Sequence, residues 1–196
     1  MSVGQLTFGK RTCEIRESTL TGTLRPRWPT QWGPESIEWC INIQCKESEL
    51  FEGYLIEPTA VFAFTLNERI HWKQMAPAIL AEQNDLYGSI YFHEHFDMAK
   101  GLITLQWLDT ETLDVSCEFE GEFELDAYGF GRLQSTARWG GIRLIDIGEM
   151  TVEQAVELMK TIFDTTDMTA ERTESRLIDG RSYADIFFKN VQPKID

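Results

Sequence analysis

The alternating segment from Leu113 to Leu125 restricts the fold of this chain more than any other feature of its sequence. Apolar residues or glycine occupy its odd positions, and polar residues occupy its even positions. Successive side chains of a β-strand point to opposite faces of the sheet, so a period of two predicts one long strand with one buried face. We therefore predict a strand over residues 113–125, with Phe119 and Phe123 buried and Glu118, Glu120, Glu122 and Glu124 exposed.

Shorter segments with strand character precede this one. Residues 37–45 alternate between apolar and mostly polar side chains. Residues 52–66, 86–96 and 102–108 are rich in aromatic and β-branched residues, which strands favour, and Pro58 divides the first of them. Strands at such short spacing predict an antiparallel sheet, either a sandwich or a strongly curved sheet.

Helical patterns are concentrated near the end of the chain. Thr151 and Gln154 have the spacing of a capping box, and an amphipathic segment follows them. Residues 182–185 resemble a second cap, and Pro77 suits the first turn of a shorter helix.

Strands followed by helices are typical of the α+β class. We expect mainly antiparallel sheet with C-terminal helices packed on it. The expected arrangement is a single domain over residues 1–196, β-rich over 1–147 and helical over 148–196. The helical part has too few residues to form an independent core.

The charge of the chain limits its partners. It carries 18 basic and 32 acidic residues, for a formal net charge of −14. Such a chain is repelled by phosphate backbones, so we expect no nucleic-acid binding and favour a basic protein as partner.

The sequence favours a cytoplasmic protein. It shows no secretory signal at its start, and its longest apolar run is far shorter than the roughly 18 residues of a membrane-spanning helix, so we expect no membrane contact. The spacing of its cysteines suits neither a zinc ribbon nor a redox dithiol, and predicts reduced thiols. These cysteines are Cys13, Cys40, Cys45 and Cys117.

The even positions of the alternating segment form an acidic row. Carboxylates on one face of a strand recur every 6.6 Å or so, and their repulsion is relieved by a basic partner surface. The alternative is a solvated face that serves solubility and protects a strand edge. The predicted partner-binding residues of the row are Asp114, Glu118, Glu120, Glu122, Glu124 and Asp126.

A loop over residues 25–34 supplies a second candidate docking element. It contains Trp28 and Trp32 together with three prolines and two arginines. Tryptophan and arginine on a stiffened loop dominate many binding hot spots. Alternatively, both indoles fold back over a sheet edge, or the loop docks the chain as a structural subunit of a larger assembly.

The segment Tyr91-Phe-His93-Glu-His95-Phe-Asp97 is the one candidate metal site. On a strand, His93, His95 and Asp97 share a face and can approach one ion. The H-x-H-x-D string resembles the start of the metal motif of the metallo-β-lactamase fold. That motif continues with histidine where this chain has Met98, and no histidine follows His95.

The sequence contains no nucleophile elbow, P-loop or dinucleotide-binding motif, and nothing in it selects catalytic residues or a cofactor. We therefore expect a non-enzymatic acidic binding protein that engages a basic protein partner. A bacterial immunity-type inhibitor of a cationic toxin is its concrete form. The alternative is a metal-dependent hydrolase centred on His93, His95 and Asp97.

Overall fold

The computed structural model describes residues 3–25, 37–51, 54–66, 69–81, 85–92, 94–124, 127–145, 147–174, 176–178 and 181–191. Within these ranges the regular secondary structure is almost entirely β-strand. The helical segments described are α1 (Val152–Ile162) and a short 3₁₀ helix (Trp72–Gln74). The strands are, in chain order, β1 (Gly4–Phe8), β2 (Arg11–Leu24), β3 (Glu38–Cys45), β4 (Ser48–Phe51), β5 (Tyr54–Ile56), β6 (Thr59–Thr65), β7 (Ala78–Leu80), β8 (Tyr87–Phe92), β9 (Glu94–Trp107), β10 (Thr112–Glu124), β11 (Ala127–Leu144), β12 (Met168–Arg172), β13 (Arg176–Ile178), β14 (Arg181–Tyr183) and β15 (Ile186–Asn190).

Eight strands form a closed antiparallel barrel. Their hydrogen-bonded order is β1-β2-β3-β6-β8-β9-β10-β11, and a pairing between β11 and β1 closes the ring. Gly4 lies opposite Ile15 on β2 and opposite Ser135 on β11, so β1 has a partner on each edge. Strands β7, β12 and β15 extend the sheet, while β4–β5 and β13–β14 form two small separate sheets.

This closed sheet shows that the predicted α+β class is wrong. The predicted first helix is present as α1, and both halves of its capping box are formed by Thr151 and Gln154. The segment expected to form a second helix instead contains β14 and β15, and the residues after Pro77 form β7. The region 148–196 is therefore not a helical layer. The apolar residues of β15 meet partners on both sides, since it pairs with β11 and with β12.

The chain divides into two compact units. The first contains Met1–Leu20, Cys40–Thr65 and Ala76–Trp139. Its interior is filled by side chains from alternating strand positions. Aromatic rings dominate it: the rings of Phe8 and Phe92 lie 5.8 Å apart, and those of Phe62 and Phe119 lie 5.3 Å apart.

The second unit contains Thr21–Trp39, Leu66–Met75 and Gly140–Asp196. The buried indole of Trp39 packs against Phe163, just after α1, with ring centroids 5.4 Å apart. Arg143 on β11 donates from Nε and Nη2 to the nearly buried carboxylate of Asp185, at 3.1 and 2.5 Å. This unit therefore combines an apolar core with a charge-assisted link between β11 and the segment just before β15.

Across the described ranges, no helix combines the length and the apolar character needed to cross a membrane.

Candidate functional site

Strand β10 carries the described members of the acidic row, Asp114, Glu118 and Glu120. It covers Thr112–Glu124, close to the predicted range, and Phe119 is buried while Glu118 is exposed, as predicted. Asp114 is half-buried, and so is Glu120, for which the prediction of an exposed side chain is wrong. The remaining predictions for this strand concern Phe123, Glu122, Glu124 and Asp126, whose side chains lie outside the described residues.

The neighbouring strands place a cation and an apolar side chain beside each of the two central glutamates. Glu118 lies between Arg132 on β11 and Leu102 on β9. Glu120 lies between Phe130 on β11 and Lys100 on β9. Directly opposed residues on one face of an antiparallel pair have Cβ atoms about 4.5–5.5 Å apart, so these side chains are immediate neighbours. At these two positions the acidic row is thus accompanied by positive charge.

We call the outer surface formed by these six residues the β9–β11 face; they are Lys100, Leu102, Glu118, Glu120, Phe130 and Arg132. A depression of about 570 Å³ opens on this face and extends to Thr7 on β1. All of its lining belongs to the first unit. A volume of this size accommodates several side chains of a partner.

Two apolar side chains of the β9–β11 face are exposed. Phe130 is 74% exposed and Leu102 is 44% exposed, on strands that flank the glutamates. The backbone beneath Phe130 is fixed, since its carbonyl accepts a hydrogen bond of 3.2 Å from the amide of Gly9. An exposed aromatic ring on a rigid strand, beside a depression, is a typical binding anchor because it loses little entropy when a partner covers it.

On the buried side of the β9–β11 face, a glycine backbone packs directly against an aromatic ring. Gly131 and Phe119 are register partners on β11 and β10, and both are buried. A Cβ atom built on Gly131 would stand 2.1 Å from Cε2 of the Phe119 ring. The ring therefore lies directly against the glycine backbone. Any residue larger than glycine at position 131 would overlap this ring. The contact therefore packs β11, the strand that carries Phe130, closely against β10.

The structure describes two of the three candidate metal ligands. Nδ1 of His95 lies 3.4 Å from Oγ of Ser89, and its ring lies 5.0 Å from that of Tyr91. Asp97 is exposed and lies opposite Ser89, whereas His93 lies outside the described residues. Among the residues that the structure describes, no three His, Cys, Asp or Glu side chains are close enough together to hold one metal ion. A metal site at these three residues stays the alternative hypothesis.

All four cysteines carry thiols, as predicted. The thiols of Cys13 and Cys45 are hydrogen-bonded to each other, and this bond, together with burial, raises the pKa of Cys45. Burial raises the pKa of Cys117, on β10, to about 12. A thiol with so high a pKa is almost never a thiolate at neutral pH, so Cys117 serves packing and not nucleophilic chemistry.

Trp28 and Trp32 lie outside the described residues, so their predicted docking role stays a prediction. Sequence reasoning did not identify Lys100, Leu102, Phe130 or Arg132, because strand pairing brings them to the glutamates. The position of Phe130 between two glycines, Gly129 and Gly131, was the available signal. Comparison of the chain with protein-family models, with curated proteins and with solved structures found no match in any of the three.

Proposed function

We propose that this chain is a non-enzymatic binding protein that docks a basic protein partner on its β9–β11 face. The observation that carries the proposal is the exposed ring of Phe130 in a depression that Glu118 and Glu120 also line. An aromatic anchor next to carboxylates suits a partner with apolar and cationic side chains in close proximity.

Local and overall charge have different roles in this proposal. On the face itself, two glutamates stand against Lys100 and Arg132, so the six residues together carry no formal net charge. The chain as a whole carries −14. The overall charge attracts a cationic partner over long distances, and the alternating charges of the face select its orientation.

The filled interior of the first unit also favours an external binding surface. Phe8, Phe62 and Phe119 are at most 2% exposed; the ring of Phe8 packs against that of Phe92, and the rings of Phe62 and Phe119 pack against each other. Close-packed aromatic rings leave little room for a ligand among them. An immunity-type inhibitor, which covers the cationic surface of a toxin, is the concrete form that the net charge favours.

Site-specific photo-crosslinking in the native host tests the proposal. One variant carries a photoreactive phenylalanine at position 130, and the matched control carries it in place of Ile79 on β7, which is 69% exposed. We expect crosslinks from position 130 to one basic protein, weakened by added salt because screening reduces charge attraction. Equal crosslinking from both positions, or an acidic or neutral product, contradicts the proposal.

A further inference from the structure

The two central glutamates are arranged to receive one planar cation. Glu118 and Glu120 are separated by one residue on the same strand and lie on the same face. Their Cα atoms are therefore about 6.6 Å apart, and their flexible side chains can converge above the sheet. A guanidinium group presents five N–H donors in a flat fork and can hydrogen-bond to two carboxylates along different edges.

The Phe130 ring supplies the second element of such a receptor. It lies directly opposite Glu120 across the β10–β11 pair and is the most exposed of the large apolar side chains described. The face of a phenyl ring attracts a cation that stacks on it, and arginine is the side chain most often found in this geometry. The methylene stem of an arginine would also cover part of the exposed ring.

We propose that the depression on the β9–β11 face is a receptor for an arginine side chain of the basic partner, an inference that rests on the proposed function. The guanidinium is held by Glu118 and Glu120 and stacks on Phe130. Lysine is a poorer occupant, because its ammonium is a strongly hydrated point charge that has no flat face to lay on the ring and cannot form a two-edged contact.

Two basic residues of the chain itself, Arg132 and Lys100, compete with an incoming arginine for the same carboxylates. Arg132 lies opposite Glu118 and Lys100 lies opposite Glu120, and both cationic residues are exposed. Both repel an incoming guanidinium, and solvent screening at these exposed positions keeps that repulsion small. Removal of Arg132 is therefore expected to make the site a better receptor, which a purely structural role of the glutamates does not predict.

The test uses three short capped peptides that differ only at the central residue: Gly-Arg-Gly, Gly-Lys-Gly and Gly-citrulline-Gly. Citrulline keeps the shape of arginine without its charge. Binding to the full chain is followed by backbone NMR shifts. We expect the arginine peptide to bind about five-fold more tightly than the lysine peptide, the citrulline peptide not to bind measurably, and shifts to centre on Glu118, Glu120 and Phe130.

Variants define the receptor. F130A and E118Q/E120Q should each weaken arginine-peptide binding at least about five-fold, R132Q should strengthen it, and I79A should leave it unchanged. All five substituted positions are exposed or half-buried, so we expect these variants to fold. Equal affinity for the three peptides, or shifts elsewhere, overturns the arginine receptor. If crosslinking at position 130 still captures a basic protein, only this inference fails and the docking proposal stands.

Discussion

Replacing Gly131 by alanine should destabilise the protein, although the change adds only one methyl group. The new Cβ would lie 2.1–2.8 Å from three atoms of the Phe119 ring. That ring is 2% exposed and packs against Phe62, so it has little space into which to move. Overpacking of a well-filled core costs about 1–3 kcal/mol, and three simultaneous clashes place this substitution near the upper end.

A double-mutant cycle identifies the ring as the cause. Phe119→Leu alone should cost about 1–2 kcal/mol, because it removes ring atoms and leaves a small cavity. In the double variant G131A/F119L the methyl group occupies part of that cavity. The combined loss should therefore be smaller than the sum of the single losses by at least about 1 kcal/mol, as is usual for residues in direct contact.

Urea denaturation followed by tryptophan fluorescence measures all three variants. A loss of 2 kcal/mol in a chain of this length also lowers the melting temperature by about 4–8 °C, which gives an independent check. Additive losses, within about 0.5 kcal/mol, would refute the reasoning because they would show that the methyl group and the ring do not interact. An unchanged midpoint for G131A would refute it equally.

Two further predictions follow from the charges and the thiols. The variant E118K/E120K should associate with the partner captured from position 130 more slowly than the control variant E47K/E174K does. Both variants change the net charge equally, so equal association rates would show that only net charge matters. The pKa of the Cys117 thiol is about 12 in the folded chain and near 9 in the unfolded chain. The contribution of this thiol to the free energy of unfolding is therefore complete below pH 9 and is lost as the pH rises towards 12. Between pH 8 and pH 10.5, C117A should therefore lose about 2 kcal/mol less unfolding free energy than the parent chain, and parallel urea midpoints would contradict this.

Local alternation predicted individual strands well. The pattern over residues 37–45 corresponds to Glu38–Cys45, in which Trp39, Ile41 and Ile43 are buried. Strand β10 was predicted for the same reason. In both segments one face is apolar and the other is polar. Because a shift of one residue would bury the polar side chains, the period of two predicts which side chains face the core.

The sequence pattern predicted a helix where β14 and β15 lie, because the apolar residues there fit both the helical period of about 3.6 and the strand period of two. Ile186 and Phe187 suit a helical stripe, but the structure buries Ile186 and Phe188 and leaves Phe187 half-buried, which is strand alternation. Aromatic and β-branched residues favour strands, and pairing with β11 and β12 decides the outcome. That pairing is a tertiary effect that a local window does not contain.

The candidate site was predicted only in its acidic half. Glu118 and Glu120 belong to one strand, so their common face follows from the sequence. Lys100 and Arg132 reach them through the registers of two other strand pairs. The register of each pair depends on the turns that join the strands and on a bulge between Glu120 and Gly121, and the alternation of polar and apolar residues contains neither.

Closure of the barrel has a consequence for the synthesis of the chain. Strand β1 pairs with residues of β11 that lie more than 120 positions later, so one of its edges has no partner while the intervening strands leave the ribosome. The most recently made strand has an open edge as well. Such edges can pair with other chains, and contacts between distant residues form slowly. A nascent chain arrested before residue 127 should therefore aggregate, and release of β11 should end that tendency by joining the two edges to each other.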